Sequence, residues 1–294
     1  MAGGRLAAEI LIPATPGPHP VWLDVHAAGD GLRAHCTPRW QAMAPRGYAV
    51  VRWDKPGCGE STGDWRRQTV AVDRAREVLA VADAIRSMAE VDKHRLVTCG
   101  TGEGAWAVLA AAAIDAELLL PRLAAAVTVG AAVRLTDREE HRLRHELPER
   151  YAASSADVGE ALGLYRRQAG LIRCGQPMSR VEALAAPYRD KRWYDGAFGR
   201  EAGWDFTARN LELDPVPWLS RIRCPVLSLW GGQDLRVDVR ASRSAYAAGL
   251  GRRLTAQVFP GADHGLRVCA GDEHATSPGV QTTIAAWSAR AVAA

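Results

Sequence analysis

Residues 94–110 read His-Arg-Leu-Val-Thr-Cys-Gly-Thr-Gly-Glu-Gly-Ala-Trp-Ala-Val-Leu-Ala: a short apolar strand, three glycines at alternate positions, then an alanine-rich helix. A chain that turns from strand to helix within five residues strains its central residue, and glycine takes that conformation without steric cost. Gly100, Gly102 and Gly104 therefore predict a sharp strand–turn–helix corner with Gly102 at its apex. Such a corner belongs to a layered α/β architecture, in which the helix returns to cover the sheet that the strand belongs to.

The rest of the chain is compatible with that architecture. At 294 residues, with 48% hydrophobic and 24% charged side chains, it can bury a substantial core, and its composition argues against disorder. The net charge of +4 comes mostly from arginines spread along the chain and interleaved with acids. That is a solvated surface rather than a basic stripe, so no nucleic-acid partner is expected. The six cysteines, Cys36, Cys58, Cys99, Cys174, Cys224 and Cys269, stand far apart with no Cys-x-x-Cys pair. Free thiols in a reducing compartment fit this spacing better than a zinc ribbon or a disulfide framework. The start, Met1-Ala2-Gly3-Gly4-Arg5, lacks the apolar core of a signal sequence, and no run approaches membrane-spanning length. A cytoplasmic protein without a membrane partner is expected.

Apolar runs bounded by turn residues predict strands over 6–13, 21–25, 48–53, 96–99, 124–129, 226–230 and 255–259. Helical patterns fall over 38–44, 69–89, the stretch after Gly104, and 281–292. This alternation predicts a mostly parallel sheet with helices on both faces. Residues 133–215 break it, being charged, partly helical and without a convincing strand. The expected organisation is one core, 1–132 with 216–294, interrupted by an inserted helical cap over 133–215.

Three further segments share the corner's character, each closing a buried strand with chemistry-bearing residues. Pro225-Val-Leu-Ser-Leu-Trp-Gly-Gly-Gln-Asp234 ends in an acid, Phe259-Pro-Gly-Ala-Asp-His264 ends in a histidine on a turn, and His26-Ala-Ala-Gly follows an early strand. Gly100-Thr-Gly-Glu-Gly104 has the layout of the Gly-x-Ser-x-Gly nucleophile elbow, with Gly102 where the serine stands. In this order the chain resembles the α/β-hydrolase superfamily. The loop Trp53-Asp-Lys-Pro-Gly-Cys-Gly-Glu-Ser61 is similar to its esterase and dienelactone-hydrolase-like branches. The resemblance implies an α/β-hydrolase fold, His264 as general base and Asp234 as the acid orienting it. It also implies an oxyanion hole from the backbone N–H of Glu103 and that of Ala28, or alternatively Ala27. The chain departs from the pattern at Gly102, and again where His26-Ala27 replaces the usual His-Gly.

Other residues carry competing readings. His26, Trp193 and Tyr194 are candidate substrate contacts. The aromatic stretch Trp193, Tyr194, Phe198, Trp204 and Phe206 either packs the cap or walls the substrate. His141 and His145 have a spacing that metals use, but nothing nearby completes a ligand set and the surrounding charges read as a solvated face. Asp54, Gly57 and Gly59 shape a turn, Cys58 is a loop thiol, Cys99 a core residue, and Thr101 points away from the apex.

Three functions follow. The first is an enzyme acting on an ester, thioester or related carbonyl through His264, Asp234 and the oxyanion donors, by direct hydrolysis or lyase- or cyclase-type chemistry. The second is a silenced Ser-to-Gly form of an ordinary serine hydrolase. The third is a non-catalytic binding protein, as in the N-myc downstream-regulated pseudo-hydrolases. The arginines of the insertion favour an acidic substrate or a carrier-bound acyl group. No cofactor is expected, because the three glycines lack the spacing of a dinucleotide fingerprint and no metal cluster is written in the chain.

Overall fold

The computed structural model of the chain describes residues 4–34, 42–199, 203–270 and 273–293. Its centre is a seven-stranded sheet in the order β1-β3-β2-β4-β5-β6-β7. The strands are β1 (Ala8–Leu11), β2 (His19–Val25), β3 (Ala49–Trp53), β4 (Val91–Thr101), β5 (Leu123–Val129), β6 (Val226–Gly231) and β7 (Leu254–Phe259). β1 pairs antiparallel with β3, and every other pairing in this sheet is parallel. Parallel strands lie buried on both faces, which is why Val-Trp-Leu-Asp-Val in β2 reads as a nearly continuous apolar run. Val21, Leu23, Val51 and Trp53 look into one core cluster, while Trp22, Val50, Val97 and Val127 look into the other.

Helices cover both faces. α1 (Ala75–Ile85), entered through a π-helical turn over Val70–Arg74, turns Val78, Leu79, Ala82 and Ile85 inward. α2 (Glu103–Asp115) is buried along almost its whole length, and its alanines let it lie close to the sheet. The chain order reverses at β2 and β4: β2 leads left to β3, and β4 leads right to β5. The carboxyl ends of β2 and β4 thus flank the crevice in which a parallel sheet receives its ligand.

Between β5 and β6 the described chain is helical: α3 (Leu135–Tyr151), α4 (Ser155–Arg173), α5 (Met178–Ala183), α6 (Tyr194–Phe198), α7 (Gly203–Asn210) and α8 (Val216–Leu219). α3 ends where Ala152 turns left-handed, and α4 starts on a capping box of Ser154 and Asp157. These helices hold their own apolar cluster, including Leu143, Leu147, Leu164, Tyr165, Trp193 and Phe198.

After β6 come α9 (Val239–Leu250), β7, a hairpin of β8 (Arg267–Ala270) with β9 (Glu273–Thr276), and α10 (Val280–Ala291). The sequence pattern did not announce the hairpin, whose short strands sit outside the main sheet. Most of the helix expected over 38–44 lies outside the described residues. Cys58, Cys174 and Cys224 are free thiols and Cys99 is buried in the core, while the side chains of Cys36 and Cys269 lie outside the described set. Among the described residues no helix is long and apolar enough to cross a membrane.

Candidate active site

β4 ends at Thr101 and α2 begins at Glu103, so Gly102 alone makes the turn between them, at φ 54° and ψ −111°. A side chain at that φ is strained, and glycine is not. The Gly102 N–H donates to the Val129 carbonyl at 2.9 Å, and the Gly102 carbonyl accepts from Ala105 at 3.1 Å. The corner is therefore bonded on both sides. A Cβ built on Gly102 would stand 3.2 Å from Nε2 of His264, and among the described residues beyond its chain neighbours it would meet that ring alone within 4 Å. Gly104 serves a different purpose: a Cβ there would fall 2.5 Å from the His26 carbonyl, so its absence lets the loop after β2 lie directly on the elbow.

His264 and Asp234 come from turns that follow β7 and β6. Asp234 is buried, and its Oδ1 accepts from the N–H of Arg236 at 2.8 Å and of Val237 at 3.2 Å. Its Oδ2 lies 2.8 Å from Nδ1 of His264. A carboxylate only accepts, so this bond places the imidazole proton on Nδ1 and leaves Nε2 as the acceptor facing Gly102. Gly102, Asp234 and His264 thus converge although Gly102 precedes the other two by more than a hundred residues of chain.

The loop after β2 is held from beneath by a side chain that the sequence reading passed over. Lys55 is fully buried and donates its Nζ hydrogens to the carbonyls of Ala27 at 2.7 Å and Gly29 at 2.8 Å, and to Oε1 of Glu103 at 3.2 Å. Burial pushes its ammonium below the ordinary lysine value, with Glu103 pulling the other way. Arg74, also buried, bonds Glu77 at 2.6 Å and the His26 carbonyl at 3.1 Å, and lies 3.7 Å from Glu103. Each cation in this quartet has an anion partner, as low-dielectric surroundings demand. Ala27 and Ala28 remain exposed above it.

Three expected substrate contacts are placed elsewhere. His26 turns its ring under the loop, with Nε2 bonded to the Trp53 carbonyl, and burial pushes its pKa down to about 4. Trp193 is 2% exposed in the apolar cluster of the insertion, with Nε1 donating to Asp157 at 3.1 Å. Tyr194 packs on Trp193 and Phe198 in the same cluster. A large ring surrounded by other rings buries more apolar area there than it would over a polar cleft. His141 is half-buried, its ring 4.2 Å from that of His145 and near Asp234. Burial and the second histidine hold its pKa down. Among the described residues no group of three or more His, Cys, Asp or Glu is placed to hold a metal.

A cavity of about 500 Å³ opens between the sheet core and the inserted helices. Glu103, next to Gly102, and Arg236, two residues after Asp234, line it, whereas Gly102, Asp234 and His264 themselves do not. Ala28, Gly29 and Glu103 line it on the core side. Trp106 and Phe206 add apolar wall, and α3 contributes a charged face. Of the aromatic stretch, Phe206 reaches this cavity, whereas Trp193, Tyr194, Phe198 and Trp204 pack within the insertion. The one-turn spacing of Arg138, Arg142, Glu146 and Arg150 was the signal available for the charged face.

Residues 34–268 match the family model described as serine aminopeptidase, S33. Among solved structures, a 2,6-dihydroxy-pseudo-oxynicotine hydrolase superposes with a TM-score of 0.63 at 18% identity, over 98% of this chain and 64% of that one. Proline iminopeptidase from Mycobacterium smegmatis gives 0.59 at 14% identity, over 99% of each chain. Est1E from Butyrivibrio proteoclasticus, bound to ferulic acid, gives 0.58 at 15% identity, over 98% of this chain and 94% of that one. The chain thus spans less than two thirds of the first neighbour's length and nearly all of the other two. At these identities the likeness shows the fold. No curated protein matches the sequence.

Proposed function

We propose that this chain, which belongs to the serine aminopeptidase S33 family of α/β-hydrolases, is an enzyme that acts on a carbonyl substrate through His264 and Asp234 without a serine nucleophile. In this reading Gly102 occupies the nucleophile position, the inserted helices form a cap, and the N–H groups of Glu103 and Ala28, or alternatively Ala27, make the oxyanion hole. The observation that carries it is the retained pair: Nδ1 of His264 lies 2.8 Å from Asp234, and Nε2 is aimed at the elbow apex, 3.2 Å from where a Cβ would stand.

In direct hydrolysis, Nε2 takes a proton as a water oxygen bonds to the substrate carbonyl carbon. The carbonyl oxygen becomes an oxyanion held by the two N–H groups. When the intermediate collapses, the bond to the leaving group breaks and the imidazolium returns the proton to it. The Nδ1 bond to Asp234 stabilises the imidazolium in between. With an acidic C–H next to the carbonyl, the same base removes that proton, the donors hold the enolate oxygen, and the enolate expels a β leaving group that takes the proton from the imidazolium. With a substrate hydroxyl, the base removes its proton as the oxygen bonds to the carbonyl carbon, and the ester or thioester leaving group departs with that proton as the ring closes. An oxyanion hole and binding alone leave about 10³–10⁴-fold acceleration in triad-stripped serine proteases, so catalysis of this kind is physically reasonable.

The intact elbow favours a second reading, a silenced serine hydrolase, because a serine Cβ at 102 would, among the described residues beyond its chain neighbours, meet the ring it would react through and no other group. Wild type, His264→Ala and Gly102→Ser are to be compared on a panel of aryl esters and acyl thioesters, with a fluorophosphonate label. Turnover by wild type that His264→Ala abolishes is the expected result. Wild-type turnover indifferent to His264→Ala overturns the proposal. Ester cleavage and labelling that appear only in Gly102→Ser replace it with the silenced reading.

A further inference from the structure

The face that α3 turns to the cavity carries more positive than negative charge. Glu139 and Glu146 are its two carboxylates, with side chains 1% and 4% exposed. Arg142 lies between them, donating Nε to Glu139 at 3.0 Å and Nη1 to Glu146 at 3.4 Å. Its other N–H groups go to the carbonyls of Gly196 at 3.0 Å and Ala197 at 2.6 Å, so this guanidinium is committed to the architecture. Three more guanidiniums converge on the same two acids. Arg138 bonds Glu139; Arg236 donates Nε at 3.1 Å and Nη2 at 3.0 Å to one oxygen of Glu146; and Arg150 stands 3.3 Å from that oxygen.

Among the described residues, four guanidiniums therefore share two carboxylates at this wall. Other acids lining the cavity do not cancel the excess. Glu103 is matched by the buried Lys55, and Asp195 is exposed at the rim and offsets one charge. A guanidinium has five N–H donors, and the bonds above use at most two on each of Arg138, Arg150 and Arg236. All three line the cavity.

We propose that this wall is the anion-recognition part of the substrate site, and that the substrate carries a free carboxylate at a distance from the carbonyl that reacts. The inference rests on the proposed function, takes the cavity lined by Ala28 and Glu103 as the space for its substrate, and adds the charge of what enters it. A planar carboxylate accepts two parallel N–H bonds from a guanidinium fork, and a half-enclosed setting strengthens them. The location suits the chemistry. The backbone N–H of Arg236 caps Asp234 at 2.8 Å, so the cationic wall begins beside the His264–Asp234 pair. Ala28 and Glu103 line the same space. A half-ester or half-thioester of a dicarboxylic acid has this layout, with its reacting carbonyl at the core side and its free carboxylate on Arg236, Arg150 and Arg138.

The test is calorimetric titration of the full chain, as wild type and as His264→Ala, with monomethyl glutarate, dimethyl glutarate and inorganic phosphate at low ionic strength. The half-ester is expected to bind about tenfold or more tightly than the neutral diester. Arg150→Gln, at a half-exposed position, and Arg236→Gln each weaken that binding about fivefold or more. Arg144→Gln, which removes the same charge from a residue that does not line this cavity, changes it less than about twofold. Equal binding of half-ester and diester, equal loss in Arg144→Gln, or a preference for phosphate over the half-ester overturns the inference. Binding needs no turnover, so the two ideas fail separately. An inactive protein that selects the half-ester overturns only the catalytic reading, and an active one blind to charge overturns only this inference.

Discussion

Gly102 is the residue on which the proposed chemistry turns. Its backbone makes the turn at φ 54°, its own N–H and carbonyl bond the corner to Val129 and Ala105, and the ring of His264 faces the side-chain position it leaves unused. The turn needs no side chain at this position, since it is maintained by φ and ψ, and in the proposed reading it persists without a serine hydroxyl. His26 shows the opposite relation between sequence and role. Its place after β2 suggested a substrate contact, yet its ring is bonded to the Trp53 carbonyl, and burial pushes its pKa from 6.5 to about 4. A base depressed in the folded state contributes its full stability above the unfolded value and loses it as pH falls toward the folded one. Between pH 6.5 and 4 the loss is on the order of 3 kcal/mol. The urea midpoint of wild type is expected to fall more steeply than that of His26→Gln as pH drops from 7 to 4.5. Parallel curves would show that the ring is not buried neutral.

At the level of elements, α3 is the piece whose meaning changed most between sequence and structure. Its Arg and Glu residues read as a solvated face, and much of that face is instead packed against the cavity and the acid turn. Helical spacing was visible, but spacing cannot say which side of a charged helix meets the core, because every side of α3 carries charge. The Glu146–Arg236 pair joins this helix to the turn that caps Asp234. Burial raises the Glu146 carboxyl, but Arg236, Arg142 and Arg150 outweigh it and hold the group below its ordinary value. This stabilisation is present above about pH 4.5 and is lost as pH falls through the lowered value. A double-mutant cycle with Glu146→Gln and Arg236→Gln is expected to give a coupling of about 1–2 kcal/mol at pH 7 that declines below pH 4. Additive losses at pH 7 would mean the helix and the acid turn are independent.

Across the whole molecule, stability is unevenly distributed. β2, β4, β5 and β6 lie inside the sheet with large apolar clusters on both faces, whereas the inserted helices depend on a smaller cluster of their own. Amide exchange is expected to be slowest in β4 and β5 and markedly faster in α4 and α5 under native conditions. Equal protection would mean that insertion and sheet open as one unit. The strand–helix alternation and the apolar runs were legible because a parallel sheet buried on both faces requires them. The β8–β9 hairpin was not legible, since its short strands outside the main sheet impose no comparable pattern.

The sequence by itself determined the α/β framework, the glycine apex and the order of elbow, acid and histidine, because each depends on local backbone or on burial patterns written along the chain. Tertiary structure decided what those residues meet. It brought His264 to Asp234 and turned its free nitrogen to Gly102, buried Lys55 under the loop after β2, withdrew His26, Trp193 and Tyr194 from the cleft, and gathered Arg138, Arg150 and Arg236 around two carboxylates. Those placements depend on contacts between segments far apart in the chain and on where charge can be matched out of water. Neither is encoded in the spacing of residues along a single stretch.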